Sequence, residues 1–193
     1  MIRILFIVVM LTLFNISQSM AKSPSAKLVK VGNGVNSVDF TGDGIPDLIV
    51  IGRRDNFNAH GFDVVSFYIF TDDKEYSVKQ WDIVPIIKKE KERLEVTVGG
   101  GADCILHDFR LLSGSSKTAA YLILADRELR NSYADSETVT FTYFSLETNR
   151  EGIPGEPRYY FKQSRAVKSK AKYCDVGEAF QKELGIDNYR RTE

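Results

Sequence analysis

The chain has 193 residues, and its 26 basic and 26 acidic side chains leave a formal net charge of +0 at pH 7. That balance removes the electrostatic basis for holding nucleic acid or an anionic membrane surface. With only two histidines, His60 and His107, a multi-histidine zinc centre is excluded as well.

Arg3 precedes an apolar run over residues 4–14. A run of this length suits the hydrophobic segment of a secretory leader and is too short to span a bilayer. Ser19-Met20-Ala21 follows the small-x-small rule for cleavage before Lys22. The expected organisation is a cleaved leader over 1–21 and one β-rich domain over 22–193, delivered to the periplasm or secreted. No later segment is long and apolar enough to cross a membrane, so no transmembrane segment is expected after cleavage.

Residues 27–31 read as a short strand, and the first distinctive motif comes next. Asp39, Asp43 and Asp47 stand four residues apart, with Thr41 between the first two and the Ile45 carbonyl between the last two. Such a loop offers the oxygens a hard cation needs, which makes Asp39, Thr41, Asp43, Ile45 and Asp47 a candidate Ca²⁺ set. It differs from an EF-hand, whose twelfth position is a bidentate acid and here is Val50. The competing reading is a plain hairpin, with Asx turns at Asp39 and Asp43 and a positive φ at Gly44.

A buried strand is expected over 47–52, then the polar stretch 53–61. Polar loops between strong strands commonly carry binding chemistry. Arg53 and Arg54 supply forked donors for a carboxylate, and Asn56, Asn58 and His60 add hydrogen-bonding groups, so these five are the ligand-binding candidates. Strands are then expected over 62–70 and 76–87, the second interrupted by Pro85 as at an edge or bulge. Further strands are expected over 93–98, 104–112, 117–125, 138–146 and 159–163. Asp103, His107 and Asp108 cluster beside three glycines, but on a strand His107 and Asp108 face opposite ways. The basic run 158–172 reads as a solvated face, and 114–118 only superficially matches a phosphate-binding loop.

A helix is expected over 175–185, opened by an Asp175–Glu178 capping box and stopped by Gly185. Cys104 and Cys174 are the two cysteines, and in an oxidising compartment they are expected to form one disulfide. The fold class expected is all-β, an antiparallel sandwich or barrel-like sheet with a short C-terminal helix. The metal motif occurs once, so a propeller built from repeated calcium loops is not expected.

The Asp39 loop, the RRDNFNAHGFDVVSFYIF block and GGGADCILHDFRLL together resemble the CarG-like carbapenem self-resistance family of exported bacterial proteins. The resemblance runs over residues 38–112. It implies protection from carbapenems without hydrolysis, and a β-lactam or an envelope protein as partner. The residues agree on the chemistry. Serine β-lactamases place serine and lysine one helical turn apart, and no serine of the expected mature chain is read with lysine at that distance. The Lys-Thr-Gly strand motif is also missing, since Ala119 follows Lys117-Thr118. The chain is therefore expected not to be an enzyme, and to use no cofactor beyond the candidate Ca²⁺. The alternative function is a Ca²⁺-stabilised structural or interaction module of the cell envelope.

Overall fold

The computed structural model describes residues 26–74, 77–101, 104–113 and 119–188. The expected leader, Asp103 and the 114–118 stretch lie outside the described residues. The strands, in chain order, are β1 (Lys27–Val29), β2 (Gly34–Val38), β3 (Asp47–Arg54), β4 (Phe62–Asp73), β5 (Val78–Ile83), β6 (Ile86–Lys88), β7 (Lys91–Arg93), β8 (Val96–Gly100), β9 (Ile105–Ser113), β10 (Tyr121–Arg127), β11 (Glu137–Thr148) and β12 (Tyr159–Tyr173). Helix α1 (Val176–Leu184) follows.

These strands form one mixed sheet in the order β2-β3-β4-β8-β9-β10-β11-β12-β6-β7, with β1 added to β9 and β5 to β4. All pairs are antiparallel except β12 with β6, where Phe161 and Lys162 face Ile86 and Ile87 in parallel. The sheet is open in strand order but curls on itself. One short segment causes this. The Val84 amide donates to the Phe67 carbonyl of β4, and the Phe161 amide of β12 donates to the Pro85 carbonyl, each at 2.8 Å. Strands β4 and β12 are thus drawn to either side of Val84–Pro85, in keeping with a barrel-like all-β domain.

Alternation explains what the curl encloses. On strands β4, β9 and β12 every second residue turns inward, and Phe67, Phe109 and Phe161 meet there with Phe40. The Phe67 ring meets those of Phe40, Phe109 and Phe161 edge-on, at centroid distances of 6.1, 5.9 and 5.3 Å. That is the favoured arrangement for aromatic quadrupoles. The outer face of β9–β11 carries a second apolar set, in which Ile123, Ala125, Val139 and Phe141 are buried with Val176, Ala179 and Phe180 of α1.

The helix is capped at Asp175 and stopped at Gly185 as expected, but Glu178 does not close the expected capping box. Asp175 Oδ1 accepts from the Gly177 amide at 2.7 Å, and Gly185 ends the helix at φ 66°. Glu178 reaches forward to Lys182 at 2.6 Å. The second oxygen of Asp175 accepts from the Ile105 amide at 3.2 Å, next to the Cys104–Cys174 disulfide, whose Cα atoms are 5.5 Å apart. The cap carboxylate and the disulfide therefore fix α1 to the start of β9. Buried Arg110 completes the attachment: it pairs with Asp108, donates to the Asp187 carbonyl at 3.3 Å, and lies 4.5 Å from the Phe180 ring.

Three elements depart from the expected pattern. Strand β2 has little apolar character and pairs only with β3, so its alternation is carried by Val35, Asn36 and Ser37. Strand β12 continues to Tyr173, and the basic run expected as a solvated face is the exposed half of a strand paired with β11. The chain after Pro85 folds as a separate hairpin, β6–β7.

Candidate functional site

Where the phenylalanine core stops, the inner face of the sheet opens into a pocket of about 660 Å³. Three successive cross-strand rows show why. Leu111, Leu122, Phe144 and Gln163 are register partners across β9–β12; Phe109, Leu124, Thr142 and Ala166 form the next row; His107, Asp126 and Thr140 form the third. Strands β9, β10 and β11 thus each step from apolar to polar in increments of two residues along one face. A bulge between Tyr143 and Phe144 keeps both Gln163 and Ala166 on the pocket side.

The third row holds a charged cluster. Asp126 Oδ1 lies 3.0 Å from His107 Nδ1, and Oδ2 lies 2.9 Å from Lys88 Nζ. Burial alone would raise the Asp126 carboxyl, but the hydrogen bonds and charges of His107 and Lys88 together hold it below the usual carboxylate range. An ionised carboxylate only accepts, so His107 Nδ1 carries the proton of this hydrogen bond.

The β6–β7 hairpin hangs over this cluster. Lys88 and Lys91 pair, and the two turn residues Lys89 and Glu90 have φ of 47° and 64°. A two-residue turn with both centres left-handed normally uses Asn-Gly or Gly, so side chains here carry backbone strain. Lys89 and Arg93 bring cations to the pocket rim. On the far side, buried Arg127 donates to the Asp135 carbonyl and, at 2.5 Å, to that of Tyr133. It thereby fixes the loop whose Glu128 and Leu129 complete the rim.

Arg53, Arg54, Asn56, Asn58 and His60 do not line this pocket. Arg53 pairs with Asp63 at 3.4 Å, and Arg54 lies 5.4 Å from the Phe62 ring. Asn56 donates to the His60 carbonyl at 3.0 Å, and Asn58 Oδ1 accepts from the His60 amide at 2.9 Å. The His60 ring meets the Gly100 carbonyl at 3.2 Å and stacks near Tyr133. The stretch is a hydrogen-bonded corner that presents Phe57, 96% exposed, at its tip.

The Asp39–Asp47 loop is also internally bonded. Asp39 accepts from Thr41 Oγ1 and from the amides of Gly42 and Gly44, while Asp43 accepts from the Ile45 amide. Asp47 is buried and accepts from the Phe40 and Thr41 amides at 2.9 and 3.0 Å. Burial raises its carboxyl to about 6 despite those donors. Among the described residues, no three His, Cys, Asp or Glu side chains are grouped to hold a metal.

His107 and Asp108 do face opposite ways, His107 into the pocket and Asp108 to Arg110 beneath the helix. Lys88, Asp126, Thr142 and Gln163 were not singled out by sequence. The available signal was the polar residue at every second position of strands that are otherwise apolar inward.

A family model described as "Carbapenem resistance protein CarG-like" matches residues 31–182. The chain belongs to the CarG-like family. A solved structure titled "Crystal structure of CarG" is similar at 23% identity, with a TM-score of 0.65, over 86% of this chain and 99% of that one. At that identity the likeness establishes a shared fold. A search of curated proteins found no match. In the expected mature part of this CarG-like chain the serine–lysine spacing does occur, at Ser169 and Lys172, but on β12. There the Ser169 hydroxyl accepts from the Val139 amide at 2.9 Å and donates to the Ala171 carbonyl at 2.6 Å, while Lys172 pairs with Glu137. Three residues apart on a strand is not one helical turn, and neither group is placed to activate the other.

Proposed function

We propose that this protein is exported and protects a cell from carbapenems by binding the drug or shielding its target, without opening the lactam ring. Membership of the CarG-like family carries the reading. The disulfide supports export, because such bonds persist in oxidising compartments. The pocket lining supports binding over acyl transfer. It contains cations, carboxylates and one histidine, its hydroxyls are those of threonines, and His107 is engaged by Asp126 and not by any of them. Expression in a susceptible host tests the reading. Tolerance of a carbapenem should rise while the drug is recovered intact. Unchanged tolerance with folded, exported protein contradicts protection, and protein-dependent loss of the lactam chromophore contradicts the non-hydrolytic part.

A second reading, a Ca²⁺-stabilised module of the envelope, draws support from Asp47. A buried carboxylate raised to about 6 is the situation that a nearby cation relieves. It requires the Asp39 and Asp43 side chains to turn from their present amide partners. Calorimetry at pH 7 decides it: Ca²⁺ should raise the melting temperature of the wild type and not of Asp43→Ala.

A further inference from the structure

We propose that the pocket beneath the β6–β7 hairpin binds a small amphipathic carboxylate that also carries an N–H or O–H donor. The proposal deepens the protective reading and rests on it only for the choice of a carbapenem as the first probe.

Its depth, wall and rim each specify part of such a ligand. In the depth, Thr142 is fully buried and its Oγ1 has no hydrogen-bond partner; Gln163 Oε1 has none either. Both residues line the pocket. Buried polar atoms are satisfied in the great majority of cases, because leaving one unpaired carries its whole desolvation cost. An amide oxygen only accepts, so the group that completes Gln163 is a donor, and the Thr142 hydroxyl serves as either.

The wall between depth and rim includes Ile86, Val96 and Leu124, which suit a hydrocarbon body. About 660 Å³ lies within the usual range for small-molecule sites. At the rim, Lys88 is engaged by Asp126, while Lys89 and Arg93 bring two further cations beside the carboxylates of Glu95 and Glu128. Arginine holds a carboxylate through two parallel N–H bonds. The strained turn adds an independent sign. Lysine occupies a left-handed position at 89 where glycine or asparagine would cost less, and strain of this kind concentrates at ligand clamps. A carboxylate at the hairpin and a donor near Gln163 would satisfy both ends of one molecule.

Two sources share this chemistry: a carbapenem, with its carboxylate and side-chain hydroxyl, and a peptide C-terminus, with its carboxylate and amide N–H. Titration calorimetry of the purified protein with meropenem, and separately with N-acetyl-D-alanyl-D-alanine, tells them apart. Wild type should bind at least one probe. Thr142→Val and Gln163→Leu each remove an unpaired polar atom, so they should raise the melting temperature of the free protein while weakening binding about tenfold. A purely structural role does not produce those opposite signs. Lys89→Gln, on the exposed turn, should leave the melting temperature unchanged, weaken binding and reduce its salt dependence. Failure of both probes to bind at millimolar concentration overturns the proposal, as does equal binding by wild type and all three variants. Meropenem binding without protection of cells contradicts the protective reading and leaves the pocket assigned. Protection that survives the loss of pocket binding contradicts protection through this pocket and leaves the pocket's ligand chemistry assigned.

Discussion

His107 and Asp126 face each other across β9 and β10, with Nδ1 of one 3.0 Å from Oδ1 of the other, and Lys88 takes the remaining carboxylate oxygen from β6. The cluster joins the neighbouring strands β9 and β10 to β6 at the point where the apolar core ends. Its carboxyl is held below the ordinary range, so it contributes stability above about pH 4 that is lost as pH falls through the lower folded value. Asp126→Asn should therefore be less stable than wild type at pH 7, and the difference should close in acid. Chemical denaturation of both proteins between pH 2 and pH 7 measures it.

Asp47 works in the opposite sense. Its folded carboxyl is raised from 3.8 to about 6, so ionisation is penalised in the folded chain only. Stability should be highest below about pH 4 from this group and decline as pH rises towards 6, by about 3 kcal/mol in full. Asp47→Asn keeps an oxygen for the Phe40 and Thr41 amides and removes that dependence. Its stability relative to wild type should rise over the same interval. A constant difference across it would contradict the account.

The hairpin turn offers a test of strain against function. Replacing Lys89-Glu90 by Asn-Gly should stabilise the protein by about 1–2 kcal/mol, because two non-glycine residues leave the left-handed region. The same change removes a rim cation and should weaken ligand binding.

The Cys104–Cys174 bridge closes a separation of 70 residues, for which loop entropy gives about 4 kcal/mol. The paired change Cys104→Ser/Cys174→Ser should lose a large share of that, read as a lower denaturation midpoint. The Asp175 cap and the Arg110–Asp108 pair remain, so α1 should stay docked. Asp108→Ala, by contrast, removes the carboxylate that balances the buried Arg110 charge and should cost about 3–5 kcal/mol.

Strong local signals were legible in the chain. The block at 62–70 is aromatic and β-branched, and it forms β4; Asp175 and Gly185 bound the helix through their own side-chain and backbone chemistry. Strand β2 was hidden because Val35 is exposed and its neighbours are polar. The pocket was hidden for a different reason. Lys88, His107, Asp126, Thr142 and Gln163 come from five strands: pairing of β9 to β12 sets four of them side by side, and the curl through Val84–Pro85 brings Lys88 to them. The polar stretch at 53–60 attracted notice through its density of polar groups, but Asn56 donates to and Asn58 accepts from its own backbone, and the His60 ring is engaged by the Gly100 carbonyl. Spacing along a strand reports which face a residue takes, and never which distant strand lies beside it.

The most direct measurement is carbapenem tolerance of a susceptible host expressing exported wild type or Thr142→Val at equal folded levels, with the drug assayed for intact lactam. The account predicts raised tolerance with wild type, reduced tolerance with Thr142→Val, and intact drug in both cultures. Equal tolerance for the two proteins, or protein-dependent ring opening, would contradict it.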